Sequence, residues 1–280
     1  MAGKKILITG VYGLIAGAVY DDFGGKPDRY EVYGLARRRQ PSERVAEGRV
    51  REVPDDRFFL ADLSDDDAIC RAVEGMDTVV QMAATPGPHE DWNRILQDNI
   101  VGIHNVFEAC RQAGVKRVVY ASSIMVSWGY LFDEPYRAIL EGRFEDVPDE
   151  IPIVTHRHPP RPTETYSASK VWGEAMARTY ADPHGLSCLC IRIGWVNGKD
   201  HPENQARGSF WCSQRDIVQL VERCVNAPEN LRFDIFYGVS DNQYRWVDID
   251  HAREVLGYVP QDRAETFLMS LGDQNRESDD

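Results

Sequence analysis

Tyr166 and Lys170 stand four residues apart in the stretch "TETYSASK", residues 163–170. On a helix, positions i and i+4 share a face. Tyrosine alone is a poor base at neutral pH, because its free pKa is about 10. A neighbouring cation favours the phenolate. Bringing that pKa to about 7 takes roughly 4 kcal/mol of differential stabilisation. One exposed lysine does not supply it, whereas two positive charges in a poorly hydrated cleft do. A phenolate formed in this way can take a proton from a hydroxyl group. Upstream, Ser122 and Ser123 close the run "VVYASS". A serine hydroxyl there can hold an oxygen atom through a change of charge.

Such residues work together only if a strand end meets a helix start. β-rich runs at Lys4–Thr9, Tyr30–Ala36, Arg57–Ala61, Asp77–Ala83, Lys116–Ser122 and Leu186–Ile193 read as strands. Helical patterns begin at Gly13–Tyr20 and cover Ala68–Val73, Trp92–Ala113 (ended by Gly114) and Tyr166–Tyr180. Apolar strands with helices between them imply a parallel sheet covered on both faces. The expected fold class is α/β, a Rossmann-type doubly wound parallel sheet. Residues 1–193 form that domain, with a long loop at 131–162. Residues 194–271 form a small C-terminal substrate-binding part interleaved with it, and 272–280 a flexible tail. The loop is rich in proline, acid and histidine and carries His156, Arg157, His158 and Arg161. A short helix is expected near Tyr136–Leu140. Loops of that length are usually lids or interface pieces.

The chain has 280 residues, 42% of them hydrophobic, and a formal net charge of −13. That suits one large α/β domain, alone or with an appendage. The acidity argues against general binding to nucleic acid or anionic membranes. A small-molecule substrate is the expected partner. No apolar stretch approaches the roughly 20 residues of a membrane span, and the run Ile6-Leu7-Ile8 is too short for a signal core. A cytoplasmic protein is expected. Cys70, Cys110, Cys188, Cys190, Cys212 and Cys224 contain no CxxC pair. They read as reduced thiols, with no metal site expected.

Gly10 and Gly13 follow the first strand directly, in "ILITGVYGLIAG". Glycine there permits a tight turn and lets the backbone approach a pyrophosphate, which the next helix N-terminus also attracts. Element order makes this a dinucleotide site, expected to use Gly10, Tyr12, Gly13, Leu14 and Ile15. The second strand ends "YGLARRR", with Ala36 where an NAD site usually places an acid. Arg37 and Arg38 suit a 2′-phosphate, so NADP is favoured over NAD. Asp62 and Leu63 end the third strand. Asp62 can accept from an adenine amino group, or it can cap the next helix. Ala83 and Ala84 are small enough for a cofactor to lie close. Ile193 ends the sixth strand beside the same crevice.

The segments "TGVYGLIAG", "ADL", "MAA", "NIVGIHNVFEAC", "YASS", "YSASK" and "IRIG" resemble the extended short-chain dehydrogenase/reductase family, the NAD(P)-dependent epimerase/dehydratase group. The resemblance covers nearly the whole chain. It implies Tyr166 as acid/base, Lys170 as ligand of the nicotinamide ribose, Ser123 as the group orienting substrate, and Asn99 near the cofactor. "SQRDIVQLVERCV" and "YGVSDNQYRWVDIDHAREVLGYVP" are similar to uronate dehydrogenases and related sugar dehydrogenases. That implies hydride transfer between a sugar or sugar acid and the cofactor. It also implies Arg192 as ligand of a substrate carboxylate, although an internal salt bridge is the alternative for this arginine. Relatives commonly form homodimers through the long helices.

Three departures from uronate dehydrogenases stand out. Ile124 and Met125 follow the serine where those enzymes have polar residues, so Thr85, Ser123, Ile124, Met125 and Arg192 make up the expected substrate wall. The loop 131–162 is longer, and Arg37–Arg38 conflicts with a preference for NAD. A nucleotide-sugar epimerase and a noncatalytic dinucleotide-binding regulator are the competing functions. Few residues follow the sixth strand for a nucleotide-sugar domain, and an intact Ser–Tyr–Lys set has no use in a sensor.

Overall fold

The computed structural model describes residues 3–46, 51–87 and 91–269. Seven parallel strands form one sheet in the order β3-β2-β1-β4-β5-β6-β7. They are β1 (Lys4–Thr9), β2 (Tyr30–Ala36), β3 (Phe58–Leu60), β4 (Thr78–Gln81), β5 (Arg117–Ser123), β6 (Ser187–Ile193) and β7 (Phe233–Gly238). The order reverses beside β1, and ligands of such sheets bind at the carboxyl ends near that switch point. Six strands match the runs read from sequence, and β7 was not anticipated. The tail expected at 272–280 lies outside the described residues.

Side chains alternate across the sheet as the two-residue period requires. Ile6 and Ile8 face a core shared with α1 (Leu14–Gly24) and α8 (Gln214–Val225). Leu7 faces the other core, with α2 (Asp66–Val73), α4 (Gly102–Gln112) and α6 (Thr165–His184). β5 and β6 are buried at every position. The C-terminal part is built into this frame, because β7 pairs with β6 and α8 covers the sheet. A smaller core joins the loop region to it through Leu131, Ile139, Val154, Phe210 and Trp246.

Local chemistry explains the departures in element boundaries. β4 stops at Gln81 because the Thr9 hydroxyl takes the Met82 and Ala83 N–H groups, at 3.1 and 3.0 Å, out of the ladder. The helix expected at 92–113 is a run of α3 (Trp92–Ile95), a π turn (Leu96–Val101) and α4. The extra residue of that turn leaves Asp98 and Asn99 both buried. A 3-10 stretch (Ile124–Phe132) leads into the long loop, which holds α5 (Tyr136–Glu141). Two further short helices, α7 (Gln205–Gly208) and α9 (Asp250–Leu256), follow, and residues 264–269 are helical as well.

α6 starts where it does because of Glu164. Its carboxylate accepts from the Tyr166 and Ser167 N–H groups at 2.6 and 2.8 Å, and Ser167 accepts in return from the Glu164 N–H. Such a reciprocal cap fixes the first turn and contributes about 1 kcal/mol. It sets Tyr166 in the first turn and Lys170 one turn further on.

Candidate active site

A cavity of ≈ 1170 Å³ runs along the carboxyl edge of the sheet from the glycine loop to the start of α6. That exceeds the roughly 300–1,000 Å³ of a typical small-molecule pocket and leaves room for a dinucleotide and a small substrate. Ser123, Tyr166 and Lys170 all line it. The Ser123 side chain acts on Tyr166 so as to favour its phenolate, and its hydroxyl accepts from the Met125 N–H at 3.2 Å. Lys170 is buried. It donates to the Ala121 carbonyl at 2.8 Å, and its ammonium lies 5.6 Å from the centre of the Tyr166 ring.

Burial acts oppositely on the two titratable groups. It lowers the Lys170 ammonium to about 8, against a smaller opposing pull from Glu174. It raises the Tyr166 phenol above its ordinary value, and Ser123 and the Arg44 charge only partly counter it. A further cation beside the phenol would act in the same direction as Arg44.

The glycine loop fits a dinucleotide. Gly10 has φ +72, and a Cβ there would stand 3.0 Å from the Ala83 Cα. Only glycine meets both conditions without strain. The N-cap of α1, Gly13, has no side-chain cap and no acid follows in the first turn, which leaves its N–H groups for an anion. Gly10, Tyr12, Gly13, Leu14, Ile15, Arg37, Arg38, Leu63, Ala83, Ala84 and Ile193 line the cavity, as do Thr85, Ile124 and Met125 at the substrate end.

Three expected residues sit elsewhere. Asp62 is behind the lining and hydrogen-bonds the Ser64 N–H and hydroxyl at 2.9 and 2.8 Å. It does not cap α2, because Asp65 does. Asn99 is fully buried. Its amide serves the Thr85 N–H and carbonyl at 2.8 and 3.0 Å and the Ser169 hydroxyl at 3.1 Å. It braces the wall from behind, with its amide directed at the protein.

Arg192 is the third. It is 1% exposed and forms a two-pronged ion pair with Glu174, both contacts at 2.9 Å. A third nitrogen donates to the Tyr237 hydroxyl at 2.9 Å. It is absent from the cavity lining. The internal salt bridge describes it, and the substrate-ligand expectation is corrected accordingly.

Sequence reading passed over Arg44 and Arg207, both of which line the cavity. Arg44 donates to the Val196 carbonyl at 3.2 Å. Arg207 pairs with Glu203 at 2.7 Å and lies 5.1 Å over the Trp195 ring. Trp128 meets Phe210 edge-on at 5.1 Å beside it, which makes this end of the cavity aromatic. The signal for Arg207 was a cation in the segment between β6 and α8. For Arg44 no local pattern existed.

Elsewhere among the described residues, His156, Asp234 and His251 bring metal-ligating atoms within 4.8 Å of one another. The two imidazoles stack at 4.0 Å with planes 23° apart. In-plane lone pairs of nearly parallel rings do not converge on one ion. Also among the described residues, all six cysteines are free, and no helix is long and apolar enough to cross a membrane.

A doubly wound sheet with a glycine loop and a Ser–Tyr–Lys cluster on one cleft defines a nucleotide-dependent class of α/β protein. The model of the NAD dependent epimerase/dehydratase family matches residues 6–250, and the chain belongs to that family. It is 32% identical over 269 residues to the NAD-dependent glucose-6-phosphate dehydrogenase of Haloferax volcanii, covering 94% of this chain and 95% of that one. It is 34% identical over 221 residues to the L-arabinose 1-dehydrogenase (NAD(P)(+)) of the same organism, covering 75% and 84%. Uronate dehydrogenase from Agrobacterium tumefaciens superposes with a TM-score of 0.77 at 27% identity, covering 98% and 90%. The chain is an oxidoreductase of this family.

Proposed function

We propose that the protein oxidises a hydroxyl-bearing carbon of a sugar or sugar acid and passes the hydride to NAD(P). The observation that carries this is the meeting of Ser123, Tyr166 and Lys170 in the cavity that begins at the glycine loop. Ser123 and Tyr166 would hold the substrate hydroxyl between them. Tyr166 takes its proton as the C–H electron pair departs, which leaves a carbonyl. Lys170, anchored on Ala121, stabilises the phenolate while it remains charged. A bound nicotinamide dinucleotide would accept the hydride and contribute the second positive charge.

Arg207, beside Trp195 and Phe210, supports an anionic substituent on the substrate, a carboxylate or a phosphate. The relatives' names include both a sugar phosphate enzyme and uronate enzymes. Purified protein is to be offered hexuronates, aldose phosphates and neutral aldoses with each cofactor, while reduced-nicotinamide absorbance is followed. Turnover with an anionic aldose is the expected result. Epimerisation without net cofactor reduction would overturn it in favour of an epimerase.

The preference for NADP belongs to the same reading. Arg37 is drawn to Asp98 at 3.2 Å and Asp62 at 3.7 Å, so its charge is largely committed. Arg38 lines the cavity, is exposed and has no ion pair among the described residues, and it carries the case for a 2′-phosphate. Arg38→Asp should weaken NADP by roughly 10–100-fold, from the loss of charge-assisted bonds, with NAD affected far less. Unchanged NADP affinity in that variant removes the preference.

A further inference from the structure

The segment after β2 folds back over the cleft as a strap. The Ser42 N–H donates to the Tyr12 carbonyl at 3.0 Å, which ties the strap to the glycine loop. Val45 packs on the core shared by Ile15 and Tyr20. On the far side the Arg44 guanidinium donates to the Val196 carbonyl, just after β6. The strap lies so close there that a Cβ on Gly198 would meet the Arg44 carbonyl oxygen at 2.8 Å. Ser42, Glu43 and Arg44 all line the same cavity as Gly13 and Tyr166.

A dinucleotide reaching from the glycine loop to Tyr166 must carry its diphosphate through the stretch this strap covers. The free N–H groups of α1 and the glycine loop meet that diphosphate from the sheet side. They supply partial charges only, against about two full negative charges on the diphosphate. Of the other cations that line the cleft, Arg37 pairs with Asp98, Arg207 with Glu203, Lys170 lies against the Tyr166 ring, and Arg38 is the one assigned above to a 2′-phosphate. We infer that Arg44 closes the cleft over the cofactor and binds its diphosphate from the solvent side, opposite the glycine loop. The favourable action of the Arg44 charge on Tyr166 agrees with a guanidinium placed between the loop and the reacting end. A guanidinium suits this role because its planar fork matches phosphate oxygens two at a time. This inference rests on the reading of the cleft as an NAD(P) site.

The test is equilibrium binding of NADH and of ADP-ribose, which keeps the diphosphate and lacks nicotinamide, by titration calorimetry. Arg44 is exposed, so Arg44→Ala should leave thermal unfolding unchanged. It should weaken both ligands equally, by roughly 10–100-fold for a lost charge-assisted contact. Arg44→Lys should recover part of the loss. Gly198→Val, which keeps the guanidinium but displaces the strap, should weaken both ligands in the same proportion as each other. Wild-type affinity for both in Arg44→Ala overturns the inference and leaves the NAD(P) reading standing. Loss for NADH with retained ADP-ribose affinity also overturns it, by placing Arg44 at the nicotinamide end. Failure of the wild-type protein to bind either ligand overturns the underlying reading, and the inference with it.

Discussion

Replacing Arg192 by methionine would leave Glu174 as a carboxylate in a dry core. Both residues are nearly inaccessible, at 1% and 5% exposure. The Glu174 carboxylate would keep only the Ser122 hydroxyl, at 2.6 Å. Breaking a buried pair from one side costs about 3–5 kcal/mol. At about 2.1 cal/mol/K per residue, unfolding entropy for a chain of this length is about 0.6 kcal/mol/K, so Tm should fall by about 5–9 °C. Arg192→Met combined with Glu174→Met should recover most of that, because apolar replacements of a whole buried pair are often neutral or stabilising. Thermal scans and urea titrations of the two single variants and the double variant give the answer directly. A Tm within about 2 °C of wild type, together with a raised KM for the sugar, would show that Arg192 faces the substrate and that the ion-pair account is wrong.

Three further outcomes follow from named contacts. Gly10→Ala forces a Cβ onto a backbone of φ +72 and against Ala83. It should destabilise the fold by about 1–3 kcal/mol and weaken NADH, as read by urea titration and calorimetry. Thr9→Val keeps the shape but orphans the Met82 and Ala83 N–H groups, and about 2–6 kcal/mol of lost urea stability is expected at 1–3 kcal/mol for each group. Glu108 is held down to about 2 by the Arg111 hydrogen bond first, then by Gln112 and Tyr180. A carboxylate depressed in the folded state contributes stability above its unfolded pKa and loses it as pH falls through the folded one. The Tm gap between wild type and Glu108→Gln should therefore be full above pH 4.5 and close towards pH 2.

Much of the frame was readable because its signals are local. The apolar runs of β1, β5 and β6, Gly10 at the first strand end, and the four-residue spacing of Tyr166 and Lys170 need no knowledge of distant residues. What escaped depends on tertiary contact. β7 has a half-exposed first half and too little apolar pattern to stand out. The early end of β4 is imposed by Thr9, some seventy positions away in sequence. Arg192 sits at a strand end and reads as a site residue until Glu174 on α6 is found beside it. Arg44 belongs to a segment without periodicity, and only the folded chain brings it to Val196.

The most direct measurement compares wild type with Tyr166→Phe, reading turnover of the best sugar and, separately, NADH affinity. Removing only the hydroxyl should lower kcat by roughly 100-fold or more while NADH binds as before. Undiminished turnover in the phenylalanine variant would contradict proton transfer through this residue.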